Sequence, residues 1–170
     1  MKVQRIIAVV LLALAALEVA HVYPLLPERV ASHFDAAGAP NGWAPKDLFV
    51  GLYAGVLAIM AGSFFGLPVA MASMPTSMIN LPNKDFWLAP ERRDETWERV
   101  AAYMNAAGNA VMALLVYIFH LAFEANLGGG GPLGGGAAVA LFVFVVFLIG
   151  WTVAFMAAFA VPIGGGGRRR

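Results

Sequence analysis

Asn105, Asn109, His120 and Glu124 interrupt an otherwise apolar stretch, and at 100° per residue they share about 100° of helical arc. One side of that helix is therefore polar along its whole length. Polar groups facing lipid are costly, so this side should turn into a bundle, where amides bond across helices. Nearer the N-terminus, Glu18 and His21 stand one helical turn apart at the end of a second apolar run. The first and third spans cross the membrane in the same direction, so Glu18, His21, His120 and Glu124 are expected at the same depth, near the outer ends of their helices. Such a set could hold zinc or another divalent ion, relay a proton, or form an ion-pair network that fixes helix register. The spacing is far less specific than a HExxH helix. The structural alternative treats the asparagines as interhelical glue and leaves His120 and Glu124 at the water boundary, and it is the simpler one. His33 and Asp35, in the following polar segment, could cap the same cluster.

The elements that must position these residues are membrane helices. The chain has 170 residues, 61% of them hydrophobic and 12% charged. Lipid is accordingly the solvent for most of it. Four runs are long enough to span a bilayer: about 6–23, 48–72, 90–127 including a polar start, and 137–163. Backbone in lipid must satisfy itself, so each run is read as a helix, and the fold class is an all-α four-helix transmembrane bundle over 1–163. Residues 164–170, glycines followed by arginines, read as a flexible basic tail. Lys2 and Arg5 before an apolar core, with Ala13 and Ala15, also fit a signal peptide. The apolar run continues to Tyr23, which favours a spanning helix.

Basic residues orient the bundle. With the N-terminus inside, Lys2, Arg5, Lys84, Arg92, Arg93, Arg99 and Arg168 to Arg170 face the cytoplasm, against Arg29 and Lys46 outside. Both termini are thus expected in the cytoplasm, in a bacterial cytoplasmic membrane. A net charge of +1 gives no reason to expect a nucleic-acid partner, and the absence of cysteine excludes disulfides and thiol chemistry.

The segments between the spans differ in character. Residues 24–47 contain Pro24, Pro27, Pro40, Pro45 and the turn pair Asn41-Gly42, which predicts a structured outer loop. Pro90 followed by Glu91, Asp94 and Glu95 predicts that the third helix starts near Pro90, before the membrane. Trp87 and Trp97 there read as interfacial anchors on a solvated juxtamembrane helix. The glycine-rich link 128–136 suggests no chemistry. In the second span Gly51, Gly55, Gly62 and Gly66 fall within about 60° of arc. A smooth face of this kind allows a helix to approach closely. Packing within the bundle is the favoured use, and a homodimer the alternative.

The outer loop carries a more specific pattern. Leu26, Pro27, Glu28, His33, Phe34, Asp35, Gly38, Gly42, Trp43 and Lys46 resemble the motif of a bacterial membrane family, the domain of unknown function 1648. That domain also begins proteins similar to the Sdp toxin-immunity protein. Ile79 to Trp87 with Pro90 to Arg93 looks like a second family element, so the resemblance spans roughly residues 6–100. It implies no enzyme activity, and the immunity role belongs to longer relatives. It does make Pro27, Glu28, His33, Phe34, Asp35, Gly38, Gly42 and Trp43 candidates for a shared binding role. Pro27 and Gly38 are explained by turns, Trp43 by the interface and Phe34 by packing; His33 and Asp35 are the least easily explained by folding.

Three functions compete. The first is recognition of a peptide or small ligand on the extracytoplasmic face, immunity- or sensor-like, which is the leading reading. The second is a metal-binding protein or enzyme using Glu18, His21, His33, His120 and Glu124. The third is an accessory subunit that docks a partner through residues 84–99. No cofactor is called for, and beyond the lipid bilayer the expected partner is an outer ligand.

Overall fold

The computed structural model describes residues 2–160. In chain order it contains α1 (Lys2–Val22), a hairpin of β1 (Arg29–Phe34) and β2 (Pro40–Pro45), α2 (Lys46–Ala72), the short α3 (Lys84–Trp87), α4 (Arg93–Leu127) and α5 (Gly136–Ala158). Among the described residues, α1 with its following turn, α2, α4 and α5 have the length and hydropathy of membrane spans. The protein is a multi-pass membrane protein. Residues 161–163 of the expected last span and the basic tail 164–170 lie outside the described residues.

The bundle is built around α4. The other three long helices pack on it, whereas α1 and α2 scarcely touch one another. Two aromatic pairs spaced one turn apart explain the α2–α4 seam, since side chains at i and i+4 share a face. Tyr53 stacks on Phe119 with ring centroids 4.1 Å apart, and Phe49 meets Phe123 edge-on at 5.7 Å. Further along the seam Gly108 lies buried against Phe64, and a Cβ there would overlap the phenylalanine side chain. Gly51, Gly55, Gly62 and Gly66 behave otherwise: a Cβ added at any of them meets nothing within 4 Å. The internal-packing role expected for this face is therefore corrected. The aromatic stripe, not the glycine stripe, turns α2 toward α4.

The segment between α1 and α2 is more than a constrained loop. β1 and β2 pair antiparallel, with Ala31 opposite Trp43, His33 opposite Gly42 and Phe34 opposite Pro40. Ser32 is an extra residue on β1 and Asn41 an extra one on β2, so two bulges compensate and the register recovers. Val30 and Ala31 are both fully buried, Val30 in the core with Phe123 and Leu26.

At the opposite end, residues 73–92 form a plug rather than a solvated helix. Ile79, Leu81, Trp87, Leu88, Trp97 and Phe159 make a second small core. The last carbonyls of a helix lack intrahelical donors, and this connection supplies them to α5. Trp87 Nε1 and Asn83 Nδ2 donate to the Phe159 carbonyl at 2.8 and 3.0 Å, and Arg99 donates to Ala158. Pro90 sits in the turn ahead of α4, which begins three residues later than expected, with Asp94 and Glu95 in its first turn.

Gly108→Ala is expected to destabilise the bundle by about 1–3 kcal/mol through overpacking, while Gly55→Ala should stay within about 0.5 kcal/mol of the parent. Unfolding titrations in SDS–detergent mixtures measure both, and equal losses would contradict the assignment of the two glycine environments.

Candidate functional site

The polar side of α4 faces α1. His120 Nδ1 lies 2.6 Å from Glu18 Oε1, and its Nε2 lies 3.6 Å from Glu124 Oε1. Glu18 is the more enclosed partner, its side chain 19% exposed against 64% for Glu124. The short contact therefore belongs to the carboxylate with least access to water. About three turns of α4 before His120, toward the other end of the bundle, Asn109 donates through Nδ2 to the Gln4 carbonyl and side-chain oxygen. Asn109 and His120 thus fasten α4 to the two ends of α1. His21 is exposed and makes no hydrogen bond or ion pair to this set. Among the described residues no group of three or more histidine, aspartate or glutamate side chains is arranged to hold a metal ion.

The hairpin rests on the same end of α4. Asn126, 3% exposed, places its carboxamide along β1: its Oδ1 accepts the Ala31 N–H at 2.7 Å and its Nδ2 donates to the Ala31 carbonyl at 3.0 Å. Nδ2 also donates to Ala122 within α4. Sequence reasoning missed Asn126, because it falls about 60° outside the arc of the other polar residues and borders a glycine run.

Most motif residues serve to hold the hairpin's shape. Asp35 Oδ1 accepts from the N–H groups of Ala37 and Ala39, both at 2.9 Å, and fixes the tip. Gly38 has φ +81°, a conformation that glycine adopts without strain, and its carbonyl accepts the Leu133 N–H at 2.8 Å. Gly42 faces His33 so closely that a Cβ would stand 2.9 Å from the histidine Cβ. Lys46 closes the base, with Nζ 2.9 Å from Glu28 Oε1 and its N–H donating to the Glu28 carbonyl. Tyr23 donates to Asp47 beside it. Pro27 is exposed where the chain turns into β1, and Phe34 is half-buried against the core.

Two motif residues remain presented outward. Trp43 is 48% exposed although one edge of its indole lies over Gly130, where a Cβ would stand 2.7 Å from the ring. His33 is exposed on β1, its Nδ1 3.1 Å from Ser32 Oγ, and neither it nor Asp35 bonds to the Glu18–His120 pair. Beneath the hairpin tip, between α4 and the start of α5, a cavity of about 360 Å³ is lined by Phe34, Asp35, Gly38, Ile118, Leu133 and Leu141 among others. Its size suits a small ligand or one or two peptide side chains. The glycine-rich link thus has a role that composition did not show: it approaches Trp43 and the tip closely and forms one wall of the cavity.

A double-mutant cycle on Glu18→Gln and His120→Gln should return a coupling of about 1 kcal/mol, the range of a side-chain hydrogen bond. Additive losses in the same SDS titration would contradict a direct pairing of the two side chains.

Residues 9–59 match the family model described as Domain of unknown function (DUF1648). The match covers most of α1, the whole hairpin and the first half of α2, and it stops before the 79–93 stretch that resembled a second family element. No curated protein and no solved structure matches the chain. The hairpin with its Glu28–Lys46 base, Asp35 tip and Gly42–His33 contact lies wholly inside the segment that matches this family model.

Proposed function

We propose that this protein recognises a peptide or small ligand with the hairpin end of the bundle, in an immunity- or sensor-like role at a bacterial cytoplasmic membrane. The observation that carries the reading is the contrast between anchoring and exposure in one element. The hairpin is held at its base by Lys46, along β1 by Asn126 and at its tip by Leu133, yet Trp43 and His33 point outward. Binding gains from an aromatic and an imidazole held in a fixed exposed arrangement, because a preorganised surface loses little entropy on association. Tryptophan also supplies large contact area with few rotatable bonds. The cavity beside the tip adds an apolar pocket that a ligand side chain can enter.

The basic residues orient this face. With Lys2, Arg5 and the 84–99 segment at the opposite end, the positive-inside rule puts the hairpin outside the cell and both termini in the cytoplasm. The toxin-immunity role of Sdp-like proteins is consistent with an outward recognition surface. The Glu18–His120–Glu124 row supports a register-fixing role over a metal-handling or enzymatic one, since His21 and His33 stand apart from it.

Panning a displayed random peptide library against the full chain in lipid nanodiscs tests the reading. Binders enriched over empty nanodiscs are expected to weaken at least about tenfold, some 1.4 kcal/mol, on Trp43→Ala, with thermal unfolding unchanged. Binders indifferent to both Trp43→Ala and His33→Ala, or no enrichment, would contradict it.

A further inference from the structure

Asn105 is the member of the α4 polar side that the hairpin end leaves unexplained. It lies near the other end of the bundle and lines a cavity of about 350 Å³ between the start of α1, the end of α2 and the first turns of α4. Among the described residues four buried side-chain polar atoms lack a hydrogen-bond partner, and two of them, Trp97 Nε1 and Asn105 Oδ1, belong to residues of this one wall. Trp97 is 8% exposed and Asn105 4%. An unpaired buried donor such as the Trp97 N–H is costly unless something brought to the cavity satisfies it.

The charges around them are balanced. Arg5 and Arg93 contribute two cations to the lining, Asp94 and Glu98 two carboxylates. Arg93 is fixed by donating to the Ala72 and Met74 carbonyls and to Thr76 Oγ1, and among the described residues neither arginine forms an ion pair with a carboxylate. Phe65 and Val69 supply an apolar wall on the membrane side.

We propose that this cavity binds the headgroup of a zwitterionic phospholipid bearing a primary ammonium. Its phosphate meets Arg5 and takes the Trp97 N–H, its ammonium meets Asp94 and Glu98 at the first turns of α4, and its acyl chains run along Phe65 and Val69. A net-anionic headgroup would leave the two carboxylates unmatched. A choline headgroup has no N–H to give the two carboxylates. The site is independent of the ligand face proposed above and lies at the opposite end of the bundle.

The test uses the full chain extracted from nanodiscs holding equal parts phosphatidylethanolamine, phosphatidylcholine and phosphatidylglycerol, with retained lipid counted by native mass spectrometry. The ethanolamine lipid is expected to be retained preferentially, and Trp97→Phe, which removes only the N–H and part of the ring, should lower that retention roughly fivefold, the loss of one hydrogen bond. Arg5→Gln, on an exposed residue outside the core, should lower it comparably with unchanged thermal unfolding. Equal retention of the choline lipid, preference for the glycerol lipid, no retained lipid, or ethanolamine-lipid retention that survives Arg5→Gln in folded protein would each overturn the assignment.

Discussion

The carboxamide of Asn126 takes the place of a third strand. A two-stranded hairpin is marginal in isolation, and β1 would otherwise leave the N–H and carbonyl of Ala31, which is fully buried, without partners. Asn126 satisfies both from a helix, at a cost avoided of about 1–3 kcal/mol for each group. Because the pairing is two-point, it fixes the direction of β1 as well as its position. The other hairpin contacts then become possible: Val30 enters the core, the Gly38 carbonyl reaches Leu133, and Trp43 settles over Gly130.

The same helix organises everything else. α4 receives α1 through polar contacts, Gln4 with Asn109 and Glu18 with His120, and receives α2 through aromatic ones, Tyr53 and Phe49 with Phe119 and Phe123. Without a hydrophobic driving force between helices in lipid, such specific contacts decide which faces meet. α5 joins through Trp151, whose Nε1 donates to the Tyr103 carbonyl, and through the plug that caps its last turn. The separation of α1 from α2 follows from this arrangement, since each is held by α4 and neither by the other.

The spans were legible because hydropathy alone defines them, and the Glu18–His120 meeting was legible because an ionisable residue in a span needs a partner. The hairpin was visible only as proline and glycine punctuation. Consecutive burial of Val30 and Ala31, with compensating bulges at Ser32 and Asn41, removes the alternation that marks a strand. Four regularly spaced glycines suggested a packing face, but spacing says nothing of which face a helix turns inward; a single glycine, Gly108, makes the close approach and carries no pattern. Trp87 and Trp97 read as interfacial anchors, yet both are buried in one cluster with Phe159, whose carbonyl accepts the Trp87 N–H from 72 residues away in sequence. His21 stands one turn beyond Glu18 but is exposed and makes no hydrogen bond to the set, so the four-residue cluster reduces to a row of three.

Amide hydrogen exchange at Ala31, measured in nanodiscs for the parent chain and for Asn126→Leu, tests the dependence of the hairpin on this one side chain most directly. The account expects the Ala31 amide to be protected in the parent and to exchange at least about tenfold faster in the variant, with the amides in the middle of α4 unchanged. Equal protection of Ala31 in both proteins would contradict it.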